Sequence, residues 1–270
     1  NVAQLRADGA HFFGPDSGDQ ACGEVGEGRV AEPEDVAQHP MLVYSHANTP
    51  HELRFVRDGE TRMVPVRSVL VANELLDAQP FHRFVCQGGV WRELGVRVDG
   101  SELTVEPLGA CSTPLAAEFA GALPAADEGW IIDAPLAAET LLEKLFAGAW
   151  SGAVILLDYG KTIAQCLESS PAGTARAYRS HQHSGAILEN LGSQDLTCHV
   201  LWDRIEPVLV RAGFREVRLD RQEAFFVKYA GAEMERIATS GDHEATGRLR
   251  ALTHPAHFGA KFQVLHGIRG

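Results

Sequence analysis

Lysine is scarce in this sequence, with Lys144, Lys161, Lys228 and Lys261 the four examples in 270 residues. Its 24 lysines and arginines stand against 36 aspartates and glutamates, a formal net charge of -12. That balance excludes a general nucleic-acid binder, which needs dense positive charge to neutralise phosphates. No apolar run approaches the roughly 20 residues that cross a bilayer, and no basic segment followed by an apolar one resembles a signal peptide. A soluble protein is expected. Paired cysteines are lacking too: Cys22, Cys86, Cys111, Cys166 and Cys198 lie far apart without metal-type spacing, the pattern of reduced intracellular thiols. His181, His183 and His199 have neither the spacing nor the carboxylate partner of a coordination sphere. The absence of a Gly-x-Ser-x-Gly elbow leaves an α/β-hydrolase without its nucleophile.

An apolar fraction of 45% is present, enough for a sizeable core in one domain. Residues 69–72 form an apolar, β-branched run that ends abruptly in Asn73, Glu74 and Asp77, and residues 152–157 form another that ends in Asp158 and Tyr159. Apolar runs of this length read as buried parallel strands, and polar residues following them sit at carboxyl ends, where open α/β sheets bind ligands. Both strand ends are expected to face one crevice.

The remaining pattern fills out an α/β reading. Residues 1–40 lack apolar periodicity and read as loop, and 41–44 as a short strand. Residues 81–108 alternate like hairpins with turns at Gly88-Gly89 and Asp99-Gly100. Helical spacing marks 135–150 and 200–212, the latter stopped near Gly213. Strands are expected at 215–220, 224–229 and 262–265, and a helix over 232–252.

Five blocks in this order, NELLDAQP (73–80), LLDYG (156–160), GTARAY (173–178) with its trailing His181, QDLTCHV (194–200) and HFGAKFQVL (257–265), resemble the MidA family, which includes the mitochondrial complex I assembly arginine methyltransferase. The resemblance implies a Rossmann-like class I methyltransferase sheet with antiparallel hairpin and helical insertions. It implies a single domain over 1–270, with 81–130 an insertion or substrate wall. It also implies S-adenosylmethionine as cofactor and a protein arginine as substrate. The partner would be a respiratory complex I subunit or its bacterial counterpart. The compartment would be the bacterial cytoplasm, which the arginine-over-lysine bias also suggests, or the mitochondrial matrix in a eukaryote.

For the cofactor, the nearest match to the family's glycine-rich turn is 23–28, with Glu24, Gly26 and Gly28 in contact and Asn73 and Glu74 from the strand end. Two departures stand out. The strand-two carboxylate that would grip the ribose is missing, since Ser45, His46 and Asn48 follow 41–44, with Glu52 farther on. The interval from Gly28 to Asn73 is short for two βα units of roughly 30 residues each. For catalysis, Glu74 or Asp77 would pair with the guanidinium fork and Asn73 would hydrogen-bond cofactor or substrate. Asp158, Tyr159 and His181 would line the same crevice, with Arg176, Tyr178, Asp195 and His199 as a peptide-binding or catalytic wall. For the Asn73, Glu74 and Asp77 group the plainer alternative is helix capping by Asn73 and ordinary salt bridging by the acids. For the whole chain the alternative is a non-catalytic assembly or binding factor that retains the fold after losing cofactor affinity.

Overall fold

The computed structural model describes residues 16–19, 25–29, 41–45, 52–56, 67–100, 102–179, 182–184 and 186–270. It is a mixed α/β protein whose principal sheet runs in the order Arg215–Arg221, Gln263–Arg269, Ser151–Asp158, Arg67–Asn73, Met41–Ser45 and Glu52–Val56. The two strands singled out in the sequence are neighbours and parallel, in register from Ser151 opposite Arg67 to Leu157 opposite Asn73. Gln263–Arg269 runs antiparallel on the outer side of Ser151–Asp158, placing Gln263 opposite Asp158. Arg215–Arg221 follows it, with Arg221 opposite Gln263.

One face of this sheet is covered by the helices Leu136–Phe146 and Trp202–Arg211. Leu70, Ala72, Val154, Leu156 and Leu265 from the strands pack with Leu142, Phe146, Trp202, Ile205 and Leu209. Strand alternation explains what happens at the sheet's end: Val154 and Leu156 point into this core, and Asp158, two residues on, is carried to the same buried face. Its burial is a consequence of register.

A second core lies under a four-stranded antiparallel sheet, in the order Glu102–Pro107, Val90–Asp99, His82–Gln87 and Ile131–Ala134. Its turns fall at the glycines expected from sequence: Gly88 and Gly89 have φ of 59° and 74° and Gly100 has φ of 61°, the left-handed region that tight hairpins require. Phe84, Cys86 and Trp91 pack there against Ala116 and Phe119 of the helix Pro114–Ala122 and Cys166 of the helix Ile163–Ser169.

Three sequence expectations are corrected. Residues 224–229 belong to the helix Gln222–Thr239, not to a strand. The Ala-Phe-Phe-Val run has β propensity, but Phe225 and Tyr229, four apart, fall on one helical face and close on the His266 ring at 5.1 and 5.2 Å. The helix expected over 232–252 is divided: Gly241 at φ 75° ends the first segment, and Asp242 caps His243–Thr253 by accepting from the Ala245 N–H at 3.0 Å. Within 1–40, read as loop, Asp16–Asp19 and Val25–Arg29 form an antiparallel pair. Among the described residues no helix is long and apolar enough to cross a membrane.

Candidate active site

The crevice forms where the two parallel strands end. After Asn73 the chain turns sharply. The Glu74 N–H continues the parallel pairing by donating to the Leu157 carbonyl at 3.0 Å, while its φ swings to 50°. A left-handed glutamate is strained, and such strain concentrates at functional positions because the fold must hold it there. The swing removes Glu74 from the alternation that buries Leu70 and Ala72 and leaves it exposed, with the Asn73 Nδ2 donating to its Oε1 at 3.2 Å.

Beneath Glu74 lie two buried carboxyls. Asp158 is 1% exposed and Asp77 5%. Oδ2 of Asp158 accepts the Leu76 and Asp77 N–H groups at 3.0 and 3.2 Å, and Oδ1 accepts the following residue's N–H, that of Tyr159, at 2.8 Å. One carboxyl thus ties the turn after the first strand to the end of the second. Burial and the proximity of Asp77 push the Asp158 carboxyl up to about 8, and burial with the Glu74 charge raises Asp77 to about 6. Both carboxyls are thus pushed toward their protonated forms, by burial first and by each other's or Glu74's charge second. Asp77 Oδ1 is buried and accepts no hydrogen bond.

Tyr159 rises beside this pair, its ring packed on Phe262 at 3.9 Å between centroids. Burial, followed by the Glu74 charge, pushes its hydroxyl up to about 12. Asp158 joins LLDYG to NELLDAQP directly through the Leu76 and Asp77 N–H groups. QDLTCHV joins them through backbone: the Cys198 N–H donates to the Asp77 carbonyl at 3.0 Å and the Val200 N–H to the Tyr159 carbonyl at 2.9 Å.

Sequence reasoning missed the residue that anchors GTARAY. Asp133 is 2% exposed and receives the Thr174 and Ala175 N–H groups at 2.6 and 2.8 Å on Oδ2, while Arg83 Nε donates to its Oδ1 at 2.7 Å. Gly173 has φ of 80°, and a Cβ there would lie 2.3 Å from Asp133 Oδ2, so the motif's glycine is required twice over. The signal was available: Asp133 ends the apolar run Trp130-Ile131-Ile132 just as Asp158 ends its own. The glycine of LLDYG has a packing reason as well, since a Cβ on Gly160 would meet the Trp202 indole nitrogen at 2.0 Å.

Of the wall residues, His199 is half-buried, and burial with the nearby Arg176 and Lys161 charges lowers it to about 4, which keeps the ring neutral. Its backbone N–H donates to Thr174 Oγ1 at 3.1 Å, which fixes the segment to GTARAY. Arg176 turns back on its own segment, donating to the Thr174 carbonyl at 3.1 Å. Asp195 is exposed and pairs in strand register with Tyr178. His181 and Glu24 lie outside the described residues. Gly26 and Gly28 lie within the strand Val25–Arg29, where Gly26 pairs with Gly18 in a hairpin, and not at the strand-to-helix turn expected of a cofactor loop.

Comparison with known proteins agrees with this reading at the family level. The sequence profile of the family described as "Putative S-adenosyl-L-methionine-dependent methyltransferase" matches residues 32–217. A COG1565 superfamily member from Burkholderia thailandensis, solved with S-adenosyl-homocysteine bound, is similar at 25% identity with a TM-score of 0.65, over 76% of this chain and 55% of that one. A native structure of an uncharacterized COG1565 superfamily protein from the same organism is similar at 26% identity with a TM-score of 0.69, over 80% of this chain and 58% of that one. The chain thus spans somewhat more than half the length of these two proteins. No curated protein matches it. With a profile match over more than half its length, and in agreement with the MidA resemblance of its motifs, the chain belongs to this S-adenosyl-L-methionine-dependent methyltransferase family.

Proposed function

We propose that the chain is a Rossmann-like methyltransferase that uses S-adenosylmethionine to methylate an arginine side chain of a protein. The observation that carries this reading is Glu74, an exposed carboxylate held in a strained left-handed conformation at the carboxyl end of one of two parallel strands, over the buried Asp77–Asp158 pair. The acidic crevice suits both cations of the reaction, a sulfonium and a guanidinium, and the uncommitted Asp77 Oδ1 gives it a free acceptor. The cofactor, when bound, supplies an electrophilic methyl group.

The chain's own residues then supply position and charge. Glu74 pairs with the guanidinium fork, steadied by the Asn73 amide, and orients one nitrogen for in-line displacement. As that nitrogen gains its methyl it loses a proton, which a carboxylate of the crevice accepts. The tilted Tyr159–Phe262 ring pair bounds one side. The four-stranded sheet and its helix, inserted between the two parallel strands, serve as the substrate wall within a single domain. The MidA resemblance supports a respiratory complex I subunit or its bacterial counterpart as the protein partner.

A non-catalytic assembly factor is the second reading. The hairpin setting of Gly26 and Gly28 and the lack of a strand-two carboxylate favour it. Transfer of labelled methyl from S-adenosylmethionine to arginine-containing proteins separates the two. Glu74→Gln is expected to lower turnover by about a hundredfold while leaving the fold intact. Absence of both cofactor binding and transfer would support the assembly factor instead.

A further inference from the structure

Two blocks of the sequence contribute residues that the crevice does not use. Lys161 follows LLDYG, and Lys261 lies within HFGAKFQVL. Together with Arg221 they line an open cleft of about 350 Å³, floored by Gly160 and Gln263. In a chain of net charge -12 with four lysines, two of the four stand in this one cleft.

Among the described residues the charge there is uncompensated. Lys161 Nζ donates to the hydroxyls of Ser169 and Ser170 at 3.0 and 2.7 Å, neutral partners that aim the ammonium without cancelling it. Among the described residues no carboxylate pairs with Lys161, Arg221 or Lys261, and Glu168, the one acid lining the cleft, forms no ion pair with them. The cleft also adjoins the crevice. Gln263 is opposite Asp158 on one side and Arg221 on the other, and Phe262 stacks on Tyr159. A ligand spanning both would pass directly from a basic surface to an acidic one.

We propose that this cleft docks an acidic stretch of the polypeptide whose arginine enters the crevice. The inference rests on the protein-methyltransferase reading for the use of the site. A compact phosphate is disfavoured because three of the amides at the nearby helix start are already taken. The Thr162 N–H is taken by Gln165 Oε1, the Gln165 N–H by Thr162 Oγ1 and the Ile163 N–H by Asp203 Oδ2. What remains is three long side chains from separate segments, spread along an open surface. That arrangement matches carboxylates distributed along a chain better than a single point anion.

The test uses fluorescein-labelled deca-glutamate as probe, with anisotropy on the full chain and on the Arg221→Glu, Lys261→Glu double variant. S-adenosyl-homocysteine binding is measured calorimetrically on both. The proposal expects saturable probe binding that weakens as salt rises and falls at least about tenfold in the double variant, with an intermediate loss in Arg221→Gln, Lys261→Gln and cofactor-product affinity unchanged. Absent probe binding, equal binding by the double variant, or full displacement of the probe by millimolar inorganic phosphate overturns it. The two readings fail separately: loss of the methyltransferase reading shows as no S-adenosyl-homocysteine binding by the unaltered chain, and loss of this one as intact product binding without charge-dependent probe binding.

Discussion

The substitution Asp158→Asn tests whether burial keeps the Asp158 carboxyl protonated. In the folded protein both carboxyls are raised above the ordinary value of 3.8, Asp77 to about 6 and Asp158 to about 8. The folded state therefore binds more protons than the unfolded chain across that interval, so the pair's contribution is fully present below about pH 4 and is lost as pH rises through 6 and 8. With displacements of about 2 and about 4 units at about 1.4 kcal/mol each, the loss is at most on the order of 8 kcal/mol, Asp158 carrying about two thirds of it. Exchanging the Asp158 carboxyl for an amide removes the larger part. The amide keeps one oxygen for the Leu76 and Asp77 N–H groups but presents its NH2 to the Tyr159 N–H, leaving a buried donor unmatched at a cost of about 1–3 kcal/mol. The variant should therefore be less stable than the unaltered chain near pH 5, and the gap should close or invert above about pH 8. At about 2–4 °C per kcal/mol, the difference between the two melting temperatures should change by roughly 10 °C between those pH values. Circular dichroism melts at each pH read it. Parallel pH profiles would refute the raised Asp158 carboxyl and mean that it is ionised throughout.

Two further substitutions probe the backbone of the site. Glu74→Gly should raise stability by about 0.5–1 kcal/mol, because glycine adopts φ of 50° without strain, while abolishing methyl transfer; a loss of stability would mean that Glu74 is not strained. Gly173→Ala should cost about 2–4 kcal/mol, since it adds a Cβ against Asp133, whereas Gly192→Ala, at a similar φ of 77° with nothing within 4 Å, should cost about 1 kcal/mol; equal melting temperatures for the two would show that Asp133 does not crowd the motif.

The parts of this site that were legible in the sequence are those encoded by short-range pattern. An apolar run that stops at a charged residue announces a strand end, and Asn73, Glu74, Asp77, Asp158 and Tyr159 were all found by that signal and do meet. Hairpin turns were legible for the same reason, because Gly88, Gly89 and Gly100 mark positive φ locally. Long-range partnership was not legible. Asp133 reaches Thr174 across 41 positions and Arg83 across 50, and nothing in the local sequence says which backbone amides a buried carboxylate will collect. The misassigned strand at 224–229 failed for a related reason: Phe225 and Tyr229 serve either period, and only the His266 ring from a distant strand decides for the helix. The basic cleft was invisible in composition, since three cations from separate segments become a surface only after the sheet brings Arg221, Gln263 and Asp158 side by side.

The central claim is that this crevice belongs to a working S-adenosylmethionine site. Calorimetric titration of the chain with S-adenosyl-homocysteine tests it most directly. The account predicts saturable binding, and no detectable binding at millimolar ligand would contradict it.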